Sequence, residues 1–246
     1  MDRLLYVAMN AASETMRSQA VNSQNLANTS TTGFRADLDS FSSLPVNGPG
    51  FASRVYSMAA DRGVDFSPGP MAGTGRDLDV AVKNEGWLTV QAADGGEAYT
   101  RAGDLRVDSF GLLRTGSGLA LMGNGGPIAV PPFEKITIAP DGTISIRPLG
   151  QGANTLAVID RIKLVNPPAG ELEKGTDGLI RLKSNEPADA DAGVQIQSGV
   201  LESSNVNTVE AMVNMIALAR QFEAQVKVMS TAEDNDRSSA QLMRIG

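Results

Sequence analysis

Glycine and proline are confined to the middle of this 246-residue chain, and that decides what each part can become. Residues 1–28 contain neither. Every proline, and every glycine except the last residue, falls within 33–199. Residues 200–245 again contain neither. These two residues are the strongest breakers of regular helix. The predicted order is helix, then strands and turns, then helix. The expected fold class is α+β: terminal helices forming a coiled-coil-like layer, with a mainly antiparallel β body between them.

The first helix is predicted to start at Asp2, whose carboxylate suits the free N–H groups of a helix start. Leu5, Met9, Ala12 and Met16 then mark one stripe at helical spacing, with Leu26 further along. The polar run Asn28 to Gly33 ends it. In the last helix, Asn207 and Glu210 have capping-box spacing. Met212, Met215, Ala219, Phe222, Val226 and Met229 follow a heptad rhythm, and Val209, Val213 and Ile216 widen the apolar face. The rhythm breaks at Glu233 and Asp236 and resumes at Ala240 and Met243. A helix from Val206 to Met243 would be about 55 Å long at the usual rise. A compact domain of this size is about 35–40 Å across. The stripe is therefore expected to overhang the body and to be covered by the first helix and by other chains.

The middle alternates with period two. Leu78 to Val82 and Trp87 to Gln91 read as strands, with a hairpin turn at Asp94-Gly95. Leu105 to Asp108 and Gly111 to Thr115 read the same way. Ile136 to Ile138 and Thr143 to Ile146 flank a second turn at Pro140-Asp141-Gly142. Leu156 to Val165 and Leu179 to Lys183 add further strands. The expected division is an assembly domain over 1–41, a linker over 42–69, a β-rich body over 70–200 and a second assembly helix over 201–246.

Composition excludes much chemistry. The chain has no His and no Cys, so there is no imidazole base, no Ser-His-Asp triad, no thiolate nucleophile and no thiolate metal site. A net charge of −7 disfavours nucleic acid and anionic lipid as partners. No apolar run approaches the roughly 20 residues of a membrane span, and Leu4 to Met9 is too short for a secretory leader. Gly123 to Gly126 lacks the Lys-Ser/Thr of a phosphate loop. Asp77 and Asp79 form a carboxylate pair, and Asp189 and Asp191 lie in a small-residue loop without calcium-loop spacing. Neither pair has a catalytic signature. No catalytic, metal or cofactor site is expected. A different class of protein, a β-sandwich module for carbohydrate or cell wall, would need an exposed aromatic platform, for which Trp87 and Tyr99 are the candidates.

Asn25-Leu26-Ala27-Asn28 through Gly33-Phe34 resembles the signature near the start of flagellar rod and hook proteins. Asp77 to Val82, Gly86-Trp87-Leu88 and Tyr99 to Leu105 resemble that family's body motifs, and Glu202 to Asn207 with the final heptads resembles its tail. Trp87 departs from the Phe common in relatives, and Glu85 lies in a variable turn. The first forty residues look most like the proximal rather than the distal rod. The resemblance implies a structural subunit of the flagellar drive shaft that partners other rod proteins and copies of itself. It implies passage through the type III export gate without a cleaved signal, with Phe34 and Leu38 as a possible export signal. It also implies assembly in the periplasm, without cofactor, nucleic acid or stable membrane insertion. The assembly seam expected comprises the apolar residues of the two helical stripes, including Leu26 and Val209.

Overall fold

The structure, a computed structural model, describes residues 3–45, 55–59, 63–150 and 155–245. The cap expected at Asp2 lies outside them. The chain forms two compact units, one of residues 1–28, 36–65 and 206–246, the other of 29–35 and 66–205. The second unit is the β body.

The body is organised around Trp87–Gln91, whose first four residues are buried. One edge of this strand pairs with Glu97–Thr100. Its other edge is shared: Leu164–Val165 takes the first half and Ala120–Leu121 the second. The sheet continues through Ile180–Leu182 and Leu172–Lys174 on one side, and through Leu113–Arg114 and Arg106–Val107 on the other. A separate three-stranded meander runs through Phe133–Ile138, Thr143–Pro148 and Ala157–Arg161. All pairings are antiparallel. Ile136, Ile138, Ile144 and Ile146 are buried while their neighbours are not, which is what period two requires of a sheet with one covered face.

Two pairings join the late strands of the body to its early ones. Gln195–Ser198 lies against Val80–Lys83, and Val200–Glu202 against Met71–Gly73. The main core is aliphatic, with Val80, Leu88, Leu105, Leu121, Ile144 and Ile162 all but inaccessible. A second cluster holds Trp87, Tyr99, Val165, Leu172 and Ile180. Phe66 meets Trp87 edge-on at 5.7 Å. Burial pushes the Tyr99 phenol above its ordinary pKa, and its oxygen accepts the Ala188 N–H at 2.8 Å.

Aspartates tie three of the body's turns. Asp108 accepts the N–H of Phe110 and Leu112 and the guanidinium of Arg114 at 2.7 Å. Asp141 accepts the hydroxyl and N–H of Thr143, and Asp177 takes both ends of the Arg181 fork. These side-chain donors hold all three carboxyls below the usual value. A carboxyl depressed by folding stabilises fully above its unfolded pKa, about 3.9, and stops doing so as pH falls through the folded value. Thermal melting should therefore be insensitive to these groups near neutrality and should decline in acid below about pH 4. The Asp108→Asn, Asp141→Asn, Asp177→Asn triple variant should show a shallower decline. An identical acid limb in the two proteins would count against the assignment.

The linker expected over 42–69 carries strands instead. Phe41–Pro45 pairs with Val55–Ala59, and Asp37–Leu38 with Gly63–Val64. The Pro- and Gly-rich stretch that suggested a linker spans mostly 46–54, outside the described residues. Its flanks (Phe41, Leu44, Val55, Tyr56) are good strand formers.

Candidate assembly surfaces and the charged cluster of the body

The first unit contains the helices Arg3–Ala27, here α1, and Thr208–Ile245, here α2. The Oδ1 of Asn207 accepts the N–H of Val209 and of Glu210, so the expected cap starts α2. α2 runs unbroken through Glu233 to Asp236, where Arg237 reaches back to Glu233 at 2.6 Å and Asp234 at 3.7 Å. Its 38 residues give a length of about 57 Å.

The helices pack on each other, but not on the expected faces alone. α1 buries Ala8, Ala12 and Thr15; α2 buries Ala211 and Ala232. Met215, Ala219, Phe222 and Met229 are half-buried, as is Leu26. Leu5, Met9, Met212 and Val226 are exposed; Met16 is 58% and Val209 71% accessible. Of the stripe read on α1, Ala12 alone is fully covered within one chain. Small residues at a helix contact permit close approach, and the larger apolar side chains remain outside it.

A polar ladder also runs along α1. The Thr15 hydroxyl donates to the Ala11 carbonyl, and Ser18 donates to Asp39 at 2.6 Å. Asn22 donates to the Ala211 carbonyl at 2.7 Å. Asn25 donates to the Asp37 carbonyl and accepts the Asp37 N–H, both at 2.9 Å. The ladder fixes the register of α1 against α2 at Ala211 and against 37–39, because a one-turn slip would strand these groups. At the end of α1, Asn28 bonds back to the Gln24 carbonyl.

Most of the large apolar residues left exposed belong to this unit: Leu4, Leu5, Met9 and Met16 on α1, Phe41, Leu44 and Met58 on the hairpin, and Val209, Met212, Val213 and Ile216 on α2. Leu38 is exposed here too, whereas Phe34 is half-buried in the other unit.

The body holds a cluster of three charges that the sequence reading did not single out. Glu202 is fully buried, and Arg35 and Arg101 are 2% and 4% exposed. One carboxylate oxygen accepts Arg35 at 2.6 Å and the Gly69 N–H at 2.8 Å; the other accepts Arg101 at 3.0 Å. Arg101 also donates to the carbonyls of Val82 and Asn84. Both guanidinium carbons lie near the Trp87 ring, at 5.7 and 5.2 Å from its centroid. Burial pulls Arg101 below its ordinary pKa, against the opposing charge of Glu202.

The segment before Arg35 is stitched to this cluster. Gly33 donates its N–H to the Glu202 carbonyl at 2.8 Å, and the Asn205 N–H reaches the Phe34 carbonyl at 3.3 Å. The Lys174 ammonium donates to the Arg35 carbonyl and sits 4.0 Å from the Phe34 ring centroid. Gly33 has φ +68°, and a Cβ there would lie 2.2 Å from the Arg101 carbonyl carbon. A glycine is therefore required twice over, by conformation and by space.

The remaining sequence candidates fall apart. Trp87 and Tyr99 are buried, so they form no platform for a sugar. Asp79 is buried beside Arg76 while Asp77 is exposed, so the two share no site. Gly123 to Gly126 close a turn, with the Gly123 N–H on the Gly126 carbonyl. Asp191 accepts the Gly193 N–H. Among the described residues, no three acidic side chains are grouped so as to hold a metal ion, and no helix is long and apolar enough to cross a membrane.

The chain thus joins in sequence a long helix pair with an apolar exterior and an antiparallel body. Three known families match parts of it. Residues 5–35 match the flagella basal body rod protein family, 81–146 the flagellar hook protein FlgE/F/G D1 domain, and 197–242 the flagellar basal body rod FlgEFG protein C-terminal family. The chain belongs to the flagellar basal-body rod proteins. It is 48% identical to FlgF of Escherichia coli K12 and 47% to FlgF of Salmonella typhimurium, over 99% of both chains in each case. It is 29% identical to FlgG of Bacillus subtilis, over 94% of this chain and 96% of the relative. Arg35, Arg101 and Glu202 fall one in each of the three matched segments.

Proposed function

We propose that the chain is a structural subunit of the bacterial flagellar basal-body rod, assembling with copies of itself and with other rod proteins through the apolar exterior of α1 and α2. The observation that carries this is that most of the exposed large apolar side chains lie on the unit of the helices, with a smaller set on the body at Met71, Phe110, Leu149, Leu156 and Val158. Surface of this kind in a soluble chain marks a protein interface. Burying it at about 25 cal/mol per Å² offsets the entropy of ordering the helices, so folding of the ends and assembly are coupled. Head-to-tail contacts that do not close into a ring generate a helical tube, and a wall of paired helices transmits torque. Methionines at the seam accommodate slightly different neighbours. Phe34 and Leu38 serve during export, before the chain folds, and the rod forms in the periplasm.

Met212 tests this without disturbing the chain's own packing, because it is half exposed in the single subunit. Met212→Asp should leave the melting of the free protein unchanged and abolish incorporation and swimming, since the charge would be buried unpaired on assembly. Limited proteolysis of the free subunit should trim the helices and spare the body. Wild-type motility in the variant would refute the seam.

A further inference from the structure

The cluster around Glu202 contains two cations and one anion, and its members are not equally well satisfied. Arg101 donates to Glu202 and to two carbonyls, and its Nε alone is buried without a hydrogen-bond partner. Arg35 donates to Glu202, and its Nε and Nη1 are buried without a hydrogen-bond partner. With Arg35 withdrawn, Arg101 and Glu202 remain a neutral pair, and the carboxylate oxygen that Arg35 leaves keeps the Gly69 N–H. Burial of an ion pair is costly unless charge and hydrogen bonds are complete, so the body is better balanced electrostatically without Arg35 than with it. Arg35 is also carried by a short segment, Thr29–Arg35, that leaves the other unit and returns to it.

We propose that Thr29–Arg35 is a detachable strap on the β body, with Arg35 as its positioning residue. Docked, the strap bonds at the backbone to Glu202 and Asn205, six and three residues before the start of α2. The same strap is continuous in sequence with the end of α1 at Ala27. Docking therefore joins the roots of the two helices through a few residues of chain, and raises the effective concentration of one helix for the other. Released, the strap leaves the body folded and α1 held by its own contacts with α2 and with 37–39 alone. The device is internal to one chain and does not depend on the assembly reading.

Segment-resolved hydrogen exchange on the full-length monomer tests it. Two variants release the strap by different routes. Arg35→Met removes the charge at similar stem length. Gly33→Ala pushes the backbone of the strap off Arg101 and Ala102 and keeps the arginine at 35. Both should speed exchange in 29–35 and in α1 by roughly tenfold or more, with 66–205 unchanged. If exchange in the body accelerates as well, Arg35 is part of the core and the strap is not detachable. If neither segment changes, Arg35 does not position it. Either result overturns the proposal.

Discussion

Replacing Glu202 with alanine should destabilise the body by about 3–5 kcal/mol, the usual cost of leaving a buried charge without its partner. Here two guanidinium groups would lose their shared carboxylate, and the Gly69 N–H would lose its acceptor. A typical domain has about 5–15 kcal/mol in total, so the variant should be close to unfolding at physiological temperature. The chain's single tryptophan reports on this directly, since Trp87 lies against both arginines. Urea unfolding followed by its fluorescence should show a large drop in midpoint. A companion variant, Arg35→Met with Arg101→Met and Glu202→Leu, removes all three charges and should recover most of the loss. If Glu202→Ala melted like the wild type, the buried carboxylate would not be what holds the guanidinium groups in the body.

The second large effect is steric. A Cβ at Gly103 would lie 1.7 Å from the Val80 carbonyl oxygen, and the Val80 N–H bonds to the Gly103 carbonyl at 2.9 Å. The obstacle is backbone within the core, so no side chain can move aside. Gly103→Ala should cost more than about 3 kcal/mol. Gly125→Ala is the control, because nothing lies within 4 Å of its added carbon and its φ is ordinary. That variant should stay within about 0.5 kcal/mol of the wild type. Equal melting of the two proteins would show that the body relaxes around residue 103.

The helices were legible because their signals are local. Asn207 caps as its spacing with Glu210 suggested, and α2 continues past the acidic run because Arg237 can reach both Glu233 and Asp234. The packing face was less legible. Ala8, Ala12 and Thr15 have helical spacing too, but small residues carry little weight in an apolar pattern beside Leu5, Met9 and Met16. The polar ladder at Ser18, Asn22 and Asn25 was also visible as spacing, and only its partners reveal its role. Trp87–Gln91 and the turns at Asp94 and Asp141 were found through period two and turn residues. The closing strands Gln195–Ser198 and Val200–Glu202 have no such signal, since their partners are more than a hundred residues away. The charged cluster was out of reach for the same reason: nothing near Arg35 in sequence announces Glu202.

That distance bears on when the protein can finish folding. Translation delivers the amino end first. Arg35 and Arg101 are made 167 and 101 residues before the carboxylate they share. Until it arrives, the nascent chain has two cations that it cannot bury and two strands whose partners do not yet exist. The body is thus kept from locking until the ribosome has almost completed the polypeptide.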